Sequence, residues 1–163
     1  MAISAPTKSA QYTDYSASPK TMVSARDWGS KLRSSYGKLT FTAAGFTTAG
    51  ANDLQLIRMP AGKIRIHVDK SRVVCPAGAA GATLSIGTGA YKDNAGATVA
   101  ADGLALASSV VITAAIDQAL PLPAGGYLEV ESQDGFDIAA SVAVANSPAA
   151  GDLVVEITYQ VGN

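Results

Sequence analysis

Apolar and polar residues alternate along much of this chain with a period of two, the spacing that puts one face of a strand in a core and the other toward water. The clearest run ends the chain: Leu153, Val155, Ile157, Tyr159 and Val161 share one face, and Glu156, Thr158 and Gln160 the other. Asp53 to Val68 holds two shorter runs around Pro60-Ala61-Gly62, which read as a hairpin with a tight connection. In its second arm Ile64, Ile66 and Val68 face one way and Arg65, His67 and Asp69 the other. The same reasoning puts Leu39 with Phe41, Leu84 with Ile86, Val110 with Ile112, and Leu128 with Val130 on inward faces. It also groups Ile138, Ala140, Val142 and Val144. Ser71 to Cys75 continues or bends the strand before it.

Turn-forming clusters separate these runs. Lys92-Asp93-Asn94-Ala95-Gly96 and Ala101-Asp102-Gly103 are turn signals inside an irregular stretch from Thr88 to Leu106. The two prolines of Ala119 to Gly126 keep that segment out of a central strand. The pattern gives about eight strands and no helix longer than one or two turns. The expected fold is therefore all-β, an antiparallel β-sandwich or jelly roll, with a body over residues 38–163.

Residues 1–37 break the pattern. They are rich in Ser, Thr, Ala and Lys, have no sustained period, and read as an extended N-terminal arm. Yet Tyr12, Tyr15, Trp28 and Tyr36 stand there, four of the chain's ten aromatic residues, which points to an arm that docks on a neighbour, the alternative being an arm folded back on its own body. Charge sharpens this. The formal net charge of −1 hides six basic residues against two acidic ones over residues 1–38, a net of +4. Residues 39–163 carry six basic against eleven acidic, a net of −5. A basic arm on an acidic body could bind nucleic acid or lie on an acidic protein surface. Tyr12, Tyr15, Arg26, Trp28, Arg33 and Tyr36 are the candidate partner-binding residues.

Composition adds three points. Apolar residues make up 48% of the 163, but Ala and Gly supply much of that, so the core should be thin and helped by self-association. The one cysteine, Cys75, ends an apolar run and should be buried and inert, with no disulfide. No apolar run reaches the ~18 residues of a membrane span. The first residues have no hydrophobic stretch behind their first charge, so a secretory signal is not expected there.

Candidate chemistry is sparse. His67 has no second histidine and no nucleophile pattern near it, and reads as a surface residue of a strand. Glu131, Asp134 and Asp137 around Gly135 do not follow the EF-hand spacing and read as an acidic turn. Gly87-Thr88-Gly89 follows a strand with no helix after it, so it is not a phosphate cradle. No hydrolase, zincin or Cys-x-x-Cys motif is present. No catalytic residues, cofactor or metal are expected, and no enzyme activity.

The order of these segments resembles a known family. A Ser/Ala/Tyr-rich arm precedes LIRMPAGKIRI, then ATLSIGTGAYKDNAGATVAADGLALAS, then GYLEVESQDGFDIAASVAVANSPAAGDLVVEITYQV. Over residues 38–161 this resembles the small structural proteins of tailed bacteriophages, of the capsid decoration or cement type. The resemblance implies a sandwich or jelly-roll body, usually trimeric, bound to the major capsid protein on the outer surface of the virion. It implies synthesis in the host cytoplasm and no catalytic site, and no direct nucleic-acid or membrane contact is expected. The rival reading is a tail, baseplate or fibre component, including a carbohydrate-binding β module. The body's aromatics are only Tyr91, Tyr127, Tyr159 and three Phe, which disfavours sugar platforms.

Overall fold

The computed structural model describes residues 7–8, 32–41, 54–123, 125–143 and 150–162. Among these, β1 (Thr7–Lys8), β2 (Arg33–Phe41), β3 (Leu54–Met59) and β4 (Gly62–His67) come first. A 3-10 turn at Val68–Lys70 leads to β5 (Arg72–Cys75). Next are β6 (Thr83–Thr88), the two-residue strands β7 (Tyr91–Lys92) and β8 (Thr98–Val99), and the long β9 (Asp102–Val111). The order ends with β10 (Ile116–Ala119), β11 (Tyr127–Ser132), β12 (Phe136–Ala143) and β13 (Gly151–Val161). No helix among the described residues is long and apolar enough to cross a membrane.

The strands form an all-β sandwich. The first sheet runs β1-β3-β12-β6-β9. The second is assembled on β13, the strand with the cleanest alternation. β2 pairs along one edge of β13 from Gly151 to Tyr159. β5 and β4 lie end to end on its other edge, pairing at Val154–Glu156 and at Tyr159–Val161. β11 extends β4, and β10 extends β5. β7 and β8 make a separate small hairpin. Pairing is antiparallel except at β1, which runs parallel to β3 at Leu54 and Gln55.

The inward faces follow the alternation. Leu153, Val155, Ile157 and Tyr159 are buried opposite Leu84, Ile86, Ile138, Ala140 and Val142, together with Ile64, Ile66 and Val130. Val144, expected on the same face, lies outside the described residues. Burial of side chains of this size stabilises by about 1.5–3 kcal/mol each. The fourfold run on β13 is therefore a main source of stability. β10 stands at a sheet edge and the prolines follow it in the loop, as their missing N–H requires.

Three expectations need correction. Pro60-Ala61-Gly62 does not close a hairpin: β3 belongs to one sheet and β4 to the other. The connection arches across the sandwich, and β11 to β12 arches beside it through Gln133–Gly135. A hairpin and an arch need the same flanking alternation, so the pattern could not separate them. The second correction is β9, which starts at Asp102 and not at Ser108, taking strand out of the stretch read as irregular. The third is β2, which begins at Arg33, so residues 33–37 are sheet-paired and not part of an extended segment. Their inward positions are Arg33, Ser35 and Gly37, which show no apolar period. A Cβ on Gly37 would lie 2.4 Å from the Leu56 carbonyl oxygen, because β2 there meets β3 of the other sheet backbone to backbone.

Cys75 is buried in this core. Desolvation pushes its thiol pKa up to about 12. The unfolded thiol ionises near pH ~8.5, so the folded state holds the extra proton between there and about 12. Stability is therefore expected to fall as pH rises above ~8.5, by at most ~1.4 kcal/mol per unit from this group. Urea titrations between neutral and alkaline pH check this: Cys75→Ala should show a shallower loss than the native chain. Identical slopes in the two would contradict it. A thiol reagent should label Cys75 only after unfolding.

Candidate functional site

The outer face of the β13 sheet is a lattice of matched charges. Lys38 Nζ lies 2.8 Å from Asp152 Oδ2, and Thr40 donates to the other oxygen of that carboxylate at 2.6 Å. These hydrogen bonds, from Lys38 first, hold the Asp152 carboxyl below the usual carboxylate range. Arg65 Nε donates to Glu129 at 2.7 Å and lowers its pKa in the same way. Lys63 pairs with Glu131 at 3.3 Å, and Arg72 binds Asp117 through two nitrogens. Ser34 donates to Glu156 at 2.6 Å. Cross-strand register explains the matching: Lys63 is opposite Glu131, and Arg65 opposite Glu129. Exposed pairs of this kind add little stability, but they leave a face with small net charge.

His67 sits on this face half-buried, its Nε2 3.2 Å from Gln160 Oε1. Glu131 and Asp137 of the acidic turn are both engaged by cations. Arg58 Nη1 donates to Asp137 at 2.8 Å, and its Nη2 donates to the Asp134 carbonyl at 2.7 Å. Arg58 thereby ties β3 to the arch before β12, at the floor of an open depression of about 280 Å³. Ala90, Tyr91, Lys92, Thr98, Asp134 and Gly135 line the rest. Burial, and then Asp93, raise the Tyr91 pKa. No cluster of three metal-binding side chains occurs among the described residues.

Of the six candidate partner-binding residues, Tyr12, Tyr15, Arg26 and Trp28 lie outside the described residues. Arg33 and Tyr36 are both on β2 but on opposite faces. Tyr36 stands opposite Glu156 on the outer face and is 56% exposed. Leu32, two positions before the outward Ser34, is exposed as well. Arg33 is opposite Tyr159 on the inward side, and its Nε and Nη2, like Gln55 Oε1 on β3, are buried with no hydrogen-bond partner among the described residues. The residue as a whole is half-buried. Sequence reasoning missed Leu32, Leu104, Val111 and Tyr127 as exposed apolar groups. Tyr127 is capped by Arg65, whose guanidinium carbon is 4.9 Å from the ring centroid. Leu104 and Val111 lie on β9, the edge strand of the first sheet.

The geometry offers surfaces and edges for protein contact, with β2 linking the N-terminal region to the core strand β13. No family model matches this chain, and no curated protein matches it. Among solved structures, a chain from the cyanophage Pam1 capsid asymmetric unit is similar in fold. The TM-score is 0.54 at 19% sequence identity, covering 88% of this chain and 94% of that one.

Proposed function

We propose that this chain is a non-enzymatic structural protein of a tailed-bacteriophage virion, bound to the outside of the capsid and stabilising it by bridging subunits. The observation that carries the reading is the near-complete mutual coverage with a chain of a phage capsid asymmetric unit. The two proteins match over nearly their whole lengths, not over a shared fragment. The charge asymmetry supports the same reading: a basic, aromatic-rich N-terminal segment beside an acidic body suits a tether on a protein shell. In the proposed role the aromatic residues supply most of the binding energy and the basic residues set orientation and on-rate. Copies associate with one another, as trimers, and gain avidity by holding several capsid subunits at once.

Deleting residues 1–30 tests the proposal. β2 begins at Arg33 and survives the cut, and among the described residues the cut removes the two-residue pairing of β1 on β3. The truncated protein should keep its strand signature in circular dichroism but no longer bind shells assembled from the capsid protein of the phage that encodes it. Full-length protein should bind, and gold label on it should fall over the head in electron micrographs. Label over the tail would overturn the reading, and full occupancy by the truncated body would move the tether onto the sandwich.

A further inference from the structure

β2 is a sheet edge with no strand on its outer side among the described residues. It pairs with β13 without a register shift from Arg33 to Phe41. In an antiparallel pair, alternate residues turn both backbone groups toward the partner strand, and the residues between them turn theirs away. The Thr158 amide donates to Ser71 Oγ at 3.0 Å, on the side of β13 where β5 lies. The even-numbered residues of β13 therefore point there, and its odd-numbered residues point to β2. Across the register these bond Arg33, Ser35, Gly37 and Leu39. Ser34, Tyr36, Lys38 and Thr40 turn their N–H and C=O groups to the free edge, and all four are exposed. Three of their side chains bond back to β13, Ser34 to Glu156 and Lys38 and Thr40 to Asp152, which leaves the edge open.

The other edge strands described are short or blunted. β9 slips twice against β6, turns at Ser109 with a φ of 49°, and is bridged at the Leu106 carbonyl by the Leu122 amide at 3.2 Å. β1 has two residues and β10 four. β11 carries Glu129 and Glu131, which would oppose acids to acids if it met a second β11. β2 has no bulge and no proline, and Asp152 balances the charge of Lys38. We propose that β2 pairs with β2 of a second copy of this chain, antiparallel about a twofold axis at Gly37, so that two sandwiches share one continuous sheet. That register opposes Ser34 to Thr40 and Tyr36 to Lys38 of the second copy, and each free N–H and C=O of the four residues gains a partner. It sets a ring beside an ammonium and a hydroxyl beside a hydroxyl, with no like charges opposed. An axis at Lys38 would face the two lysines, and one at Tyr36 would leave Thr40 facing Leu32. The contact goes beyond the trimer proposed above, since a twofold pair joins one trimer to the next.

Sedimentation equilibrium of the full chain tests this without any capsid. Tyr36→Pro removes a free-edge N–H and keeps every bond to β13, so it should fold with native circular dichroism yet pair about tenfold or more weakly. With rising concentration, native protein should form species of twice the Tyr36→Pro mass. Cross-linking tests the register: on mild oxidation a mixture of Ser34→Cys and Thr40→Cys chains should give disulfide-linked pairs, and either variant alone should not. If Tyr36→Pro sediments as the native chain does at every concentration, the edge is unused and the inference falls, whether or not the trimer stands. A native chain that stays a lone trimer would overturn the pairing alone, and one that stays a monomer would overturn the trimer as well. Should Tyr36→Pro fail to fold, the cross-link decides, and a mixture without linked pairs overturns the inference. Linkage of the single variants as strong as that of the mixture would overturn it too.

Discussion

Gly87→Ala is expected to destabilise the native fold severely. Gly87 is buried in β6, where the pairing with β9 slips: Ile86 is opposite Ala107, yet Thr88 is opposite Asp102. The slack in β9 brings Asp102 and Gly103 onto the face of Gly87. A Cβ there would be 1.9 Å from the Asp102 carbonyl oxygen and 2.4 Å from the Gly103 carbonyl carbon. Both atoms are backbone, so no rotamer change relieves the clash. Either β6 or β9 must move, and β6 is held on its other edge by β12 from Thr83 to Thr88. The loss should reach or exceed ~3 kcal/mol, the upper range for overpacking, against a total stability of about 5–15 kcal/mol. Gly96→Ala is the control. Gly96 also carries a constraint, a φ of +83°, but a Cβ there meets nothing within 4 Å. It should cost only ~1 kcal/mol or slightly more in backbone strain. Thermal melts by circular dichroism separate the two, and a native-like transition for Gly87→Ala would show that the β6–β9 slip is not as described.

That slip also marks where the sequence stops being informative. Alternation reports side-chain faces, and wherever side chains decide the structure the pattern could be read. Ile64 with Ile66, Leu84 with Ile86, and Leu153 to Tyr159 are all buried as expected. The turn at Lys92–Gly96 is legible for a similar reason, because its chemistry is local. Asp93 Oδ1 accepts from the Ala95 and Ala97 amides at 2.9 Å, and Gly96 takes the positive φ. The start of β9 is a backbone event. Asp102-Gly103 has turn residues, and Asp102 Oδ1 does accept from the Leu104 amide at 3.0 Å, yet the segment pairs with β6.

The break between β4 and β5 was legible in principle. Inward positions are even-numbered through Val68 and odd-numbered at Val73 and Cys75. Such a change of parity requires an irregular residue between, and the 3-10 turn at Val68–Lys70 supplies it. The candidate site was the least legible part. Tyr36 could be singled out as an aromatic residue in a polar segment. The inward burial of Arg33 could not, because it depends on how β2 pairs with β13 and not on a local pattern.

Ile157→Asp should leave no folded protein, while Thr158→Asp, its neighbour, should fold. Ile157 is fully buried on β13, opposite Ser35 of β2 and within the core cluster that joins the two sheets. A carboxylate at that position loses its hydration, and the inward cation of β2, Arg33, stands opposite Tyr159 and not opposite Ile157. The penalty is several kcal/mol, on the order of the whole stability of the domain. Thr158 faces outward, where its hydroxyl donates to the Lys70 carbonyl at 3.1 Å. Aspartate there loses that donor but stays within reach of water, for a cost of about 1 kcal/mol. A domain of this size should then lose ~3 °C in Tm. The comparison tests the register of the central strand directly, because a slip of one residue would exchange the two environments. Soluble expression and thermal melts of both variants decide it: equal damage from the two would mean that β13 does not hold this register, and with it the account of the second sheet would fall.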